Sequence, residues 1–234
     1  DALPIYDTYT EEDWALTASE PVAFWTNGFV TDQGSANLCV NCHQPRVVDP
    51  FPDTDNLDGT YDITSPYFGP HHSTQGAMIA ATGGFEVGNG YEYDHPHGNI
   101  ENSCKTCHMA EAYGNQAGGH NMSMSYEYHG HMELNIAGCT NCHGEDIAEE
   151  VEEENATFEE LLTELKELLI AEGVYDPETG RAVPGTYTNR LAGAYYNYLF
   201  VEEDQSLGLH NYDYAKKLLE NTIASLNEQN FAAK

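Results

Sequence analysis

Apolar residues fall at helical spacing only in the last third of the chain. Phe158, Leu161, Leu162, Leu165, Leu168 and Leu169 form one stripe that stops at Gly173, the pattern of an amphipathic helix. Thr157 followed by Glu160 reads as a capping box at its start. The acidic run EDIAEEVEEEN (145–155) before it reads as a solvated linker or helix lead-in. A second helix is predicted near Thr188 to Val201 through AYYNYLF. A third is predicted near Tyr212 to Leu226, with Ala215, Leu218, Leu219, Ile223 and Leu226 on one face and Asn211 as its cap. Upstream the periodicity disappears. Residues 45–100 are rich in Gly, Pro, Asp and Tyr and read as loops and turns, and residues 1–38 read as irregular. The fold class expected is therefore mainly α with long irregular loops: a loop-rich region, 1–148, and a helical C-terminal region, 149–234.

Charge narrows the choice of partners. Thirty-nine acidic against eight basic residues give a net charge of −31. Such a polyanion is repelled by nucleic acid and anionic lipid, and attracts cationic partners, metal ions and metal oxide surfaces. No apolar run approaches the ~18 residues that a membrane helix needs, so no membrane span is expected. The chain opens at Asp1 on DALPIYDTYTEED, with neither a basic nor an apolar leader, and is read as a mature chain after removal of an export signal.

All six cysteines fall in three pairs, each followed at once by histidine: CVNCH (39–43), CKTCH (104–108) and CTNCH (139–143). This is the pattern of c-type haem attachment. Cys39 and Cys42, Cys104 and Cys107, and Cys139 and Cys142 are spaced so that each pair can form thioethers to the two vinyl groups of one porphyrin. The adjacent His43, His108 or His143 then lies beneath the iron as proximal ligand. Zinc knuckles would leave one pair without a partner, a thioredoxin-like motif would occur once, and disulfides within pairs explain none of the histidines. Three haem c groups are the expected cofactors. Since c-type maturation occurs outside the cytoplasmic membrane, an extracellular, cell-surface or periplasmic location is expected.

Eight further histidines remain: His71, His72, His95, His97, His120, His129, His131 and His210. Three irons need three distal ligands, so bis-histidine ligation is the natural expectation, and a six-coordinate iron exchanges electrons but binds no substrate. Methionine is the alternative distal ligand, with Met109, Met122, Met124 and Met132 near the second and third motifs.

From Gly69 onward the chain resembles the multihaem superfamily that contains pentahaem nitrite reductase, hydroxylamine oxidoreductase and extracellular cytochrome filaments. The residues that carry the resemblance are GPHHSTQ (69–75), His97 upstream of SCKTCHM (103–109), GGH (118–120), the third CxxCH and SLGLHN (206–211). The resemblance implies His97 as distal ligand for the haem on Cys139 and Cys142, His120 for that on Cys39 and Cys42, and His210 for that on Cys104 and Cys107. His71 is a fourth candidate, able to displace His120 or to serve a haem in a neighbouring subunit. His72, His95, His129 and His131 are assigned to the surface or to supporting contacts. No CxxCK and no counterpart of a cross-linking tyrosine is identified, so the reactions of the enzymes do not carry over.

Two lesser features complete the picture. Asp53, Asp55, Asp58 and Asp62 in DTDNLDGTYD could hold calcium, although the glycine is misplaced for an EF-hand and a solvated turn is favoured. Trp14, Phe24 and Trp25 are available to cover a haem face. The function expected is electron transfer rather than enzymology, by an exported protein polymerised with copies of itself into a filament. The alternatives are a soluble shuttle or subunit serving redox partner proteins, and a haem oxidoreductase acting on nitrogen or sulfur oxyanions.

Overall fold

The computed structural model describes residues 20–232, so Trp14 lies outside the described residues. Three long helices dominate: α4 (Ile147–Ala171), α5 (Asn189–Glu202) and α6 (Tyr212–Ala232). Before them come three short ones, α1 (Asn37–Val40), α2 (Gln75–Ile79) and α3 (Ser103–His108). Among the described residues no helix is long and apolar enough to cross a membrane.

Among the described residues the architecture is mixed, helices with short strands, with which the mainly-α expectation is loosely compatible. Four two-stranded antiparallel pairs accompany the helices: β1 (Val22–Ala23) with β2 (Val30–Thr31), β3 (Thr60–Ile63) with β8 (Gly185–Thr188), β4 (Ser125–Tyr128) with β5 (His131–Leu134), and β6 (Tyr175–Asp176) with β7 (Arg181–Ala182). These strands are too short for period-two alternation to stand out in the sequence. β3 and β8 also come from distant parts of the chain, with Tyr61 opposite Tyr187.

The start of α4 differs from expectation. The helix includes the acidic run, with Glu149 and Glu150 in its first turn, where negative charge favours the helix dipole. Thr157 is therefore internal, and its hydroxyl donates back to the Glu153 carbonyl at 3.3 Å instead of capping. The other two helices begin close to where they were expected, and the cap expected at Asn211 is made. The Thr188 hydroxyl accepts from the Leu191 N–H, and Asn211 Oδ1 accepts from the Tyr214 N–H.

The three long helices form one core with the 50–87 segment. Phe158, Leu165 and Leu169 of α4, Phe200 of α5 and Leu218 and Leu219 of α6 are fully buried. Buried Asn197 stitches the segment in, accepting from the Phe85 N–H at 2.7 Å and donating to its carbonyl at 2.8 Å. Gly193 is required here, because a Cβ would lie 2.2 Å from the Phe85 ring. The two sequence regions thus share a single core. Phe24 is buried, whereas Trp25 is 59% exposed.

Candidate haem sites

Each CxxCH forms one helical turn. The His43 N–H donates to the Cys39 carbonyl at 2.8 Å and the His143 N–H to the Cys139 carbonyl at 2.9 Å, while the middle motif lies within α3. A single turn turns both thiols and the imidazole toward one side, as a shared porphyrin requires. Among the described residues no disulfide joins any of the six cysteines. Burial pushes the Cys104 thiol up, with the Cys39 thiol beside it adding to the shift. Burial likewise raises Cys107, followed by the effect of Cys139.

The middle motif lies between the other two. On one side the Ser35 N–H donates to Asn102 Oδ1 at 2.7 Å, Lys105 Nζ donates to Ser35 Oγ at 2.9 Å, and the Ser103 hydroxyl donates to Gln33 Oε1 at 2.7 Å. On the other side Gly138 touches α3 so closely that a Cβ would lie 2.9 Å from Cys107 Cα.

Histidines face one another across two of the motifs. The His97 and His143 ring centres are 6.1 Å apart, and those of His108 and His210 are 6.2 Å apart. A metal held about 2.0 Å from each imidazole nitrogen sets facing rings about 6.2 Å apart, once about 1.1 Å from nitrogen to ring centre is added on each side. The two pairs have the separation of two imidazoles that share one metal. His97 and His210 are the partners that the resemblance implies for the third and second motifs. His120 is exposed, and the His71 ring lies tilted against that of His72 with centres 4.7 Å apart. Among the described residues neither ring, nor any other imidazole, faces His43 at a comparable distance.

The far nitrogens of these rings are held. His97 Nδ1 donates to the Leu209 carbonyl at 2.9 Å, and His108 Nδ1 to the Met122 carbonyl at 2.8 Å. His210 Nδ1 meets Asp204 Oδ1 at 2.8 Å, and His43 Nδ1 meets Gln75 Oε1 at 3.0 Å. Gln75 is oriented because its amide nitrogen donates to the Glu203 and Asp204 carbonyls. With Nδ1–H donated, the Nε2 lone pair is left to bind a metal. Burial pulls the His210 imidazole down, but the Asp204 carboxylate, through charge and hydrogen bond, leaves it above its ordinary value.

One turn, between α5 and α6, thus supports a histidine at every motif. Glu203 and Asp204 hold Gln75 behind His43, the Asp204 side chain holds His210, and Leu209 holds His97. Sequence reasoning missed Gln75 and Asp204. Gln75 lies in GPHHSTQ and Asp204 shortly before SLGLHN, yet only the folded turn joins them to the imidazoles.

The remaining candidates are used otherwise. His72 pairs with Glu203 at 2.6 Å. His95 accepts from the His97 N–H at 3.3 Å, and His129 and His131 are exposed on the β4–β5 hairpin. Met122 and Met132 are 49% and 68% exposed, and the Met122 contact to His108 is through its carbonyl. The four aspartates do not converge: Asp53 accepts from the Asp55 N–H, Asp58 pairs with Arg190, and Asp62 accepts from Thr186. Among the described residues no three His, Cys, Asp or Glu side chains gather as a metal-ion site. Comparisons with protein-family models, curated proteins and solved structures found no match.

Proposed function

We propose that this chain is an exported electron-transfer cytochrome with three haem c groups, related to the multihaem superfamily and assembled with copies of itself into an extracellular filament. The observation that carries the reading is the pair of facing imidazoles, at 6.1 and 6.2 Å, each pair including the histidine of a CxxCH. When bound, the haems supply one-electron redox chemistry; the chain attaches them, offers both ligands at two of the three and sets their order along the row of motifs. The −31 charge favours cationic redox proteins or oxide surfaces as partners.

Polymerisation is favoured because exposed His43 lacks a facing imidazole among the described residues, while His71, His120, His129 and His131 are exposed. A histidine of a second copy completes that site in the filament. The same observation supports a second reading, an open iron at His43 acting on an oxyanion, which the acidic surface disfavours.

Haem content and electron paramagnetic resonance test the electron-transfer reading. Three haems per chain and only low-spin ferric signals in the assembled protein are expected. A persistent high-spin signal favours the enzyme, and fewer than three haems defeats the assignment. Electron microscopy separates fibres from the discrete particles of a shuttle.

A further inference from the structure

The imidazoles are not supported alike. The acceptors behind His97 and His108 are backbone carbonyls, and that behind His43 is an amide oxygen; all are neutral. Behind His210 stands a carboxylate. The Asp204 side chain is 1% exposed, and its Oδ1 lies 2.8 Å from His210 Nδ1. Its second oxygen accepts from the Ser206 hydroxyl, whose oxygen also accepts from the His210 N–H at 3.3 Å. The ion pairs of lysine and arginine among the described residues are Arg190–Asp58 and Lys217–Glu220, so neither cation neutralises Asp204.

From this asymmetry, and resting on the haem reading above, we infer that Asp204 is a tuning residue that makes the haem held by His108 and His210 the lowest-potential centre of the three. A buried carboxylate acts through little screening. By drawing the Nδ1 proton it makes Nε2 a stronger donor, which stabilises ferric over ferrous iron. The neutral acceptors at the other sites give less of this bias. The row then has its lowest potential in the middle, because this haem belongs to the central motif.

Redox titration of the holoprotein, followed by optical and paramagnetic resonance spectra, tests the inference with Asp204→Asn, which keeps an oxygen acceptor and removes the charge. The lowest of three transitions should rise by at least about tenfold in its equilibrium constant, about 59 mV for one electron, while the other two stay and every haem remains low-spin. An unmoved lowest transition, or movement of a different one alone, overturns it. Should Asp204→Asn not fold, Ser206→Ala decides: it frees the carboxylate from a competing donor and should lower the same transition, and an unchanged value overturns the inference. Wild-type protein lacking three low-spin haems would instead defeat the electron-transfer reading, independently of either variant.

Discussion

Helix α5 buries eleven of its fourteen residues, whereas between Gly88 and Asp146 the one buried hydrophobic side chain is Ala117. The helical part is held by ordinary apolar packing, with Tyr195, Tyr196, Phe200 and Leu218 in contact across helices. The motif strip is held by polar turns, by Gly138 against α3 and by Asn135 reaching the Glu111 carbonyl. A stretch of that length with so little burial cannot offset its chain entropy alone. On the haem reading, the apolar faces of three porphyrins supply what it lacks.

The largest effect should come from removing those faces. In protein prepared without haem, amide exchange should leave α5 and α6 protected while residues 88–146 exchange freely, a gap of about 3 kcal/mol or more in local opening; equal protection would break the comparison. Within the helical part, Phe200→Ala should cost about 3–5 kcal/mol in denaturant unfolding, with haem content per folded chain unchanged. Gly138→Ala strikes the strip instead. It forces a Cβ against Cys107 and should cost about 1–3 kcal/mol, seen as incomplete haem attachment at the third motif by mass spectrometry. Thr188→Ala, which removes the α5 cap, should lower stability by about 1 kcal/mol.

The smallest effect is set by pH. The Asn37 side chain, followed by the Gly34 N–H, holds the Asp32 carboxyl below its ordinary value. A depressed carboxylate stabilises the fold above its unfolded pKa, and that support is lost as pH falls toward the folded value. Acidification below the usual carboxylate range should loosen the turn leading into α1, read as faster exchange at residues 33–37. Asp32→Asn should remove the pH dependence.

The division between the two regions also explains what could be read before folding. The CxxCH turns are local, so five adjacent residues declare them. α5 announces itself through the aromatic stretch AYYNYLF, and α6 through its Asn211 cap and apolar stripe. The start of α4 does not, because its first turns carry glutamates and its buried positions there, Ile147 and Val151, are few. The β3–β8 pairing, the shared core and the roles of Gln75 and Asp204 arise from contacts between distant segments, and periodicity carries no trace of those. The His97 and His210 assignments came from likeness to known sequences, not from spacing.

The turn between α5 and α6 has a consequence for biosynthesis. On the haem reading, pigment would be joined to each cysteine pair as soon as it emerges, yet the residues that orient a histidine at every motif are made after all three pairs. A chain cut just before Glu203 would then be fully coloured and electrically ill-defined, so colour alone would be a poor gauge of a finished molecule.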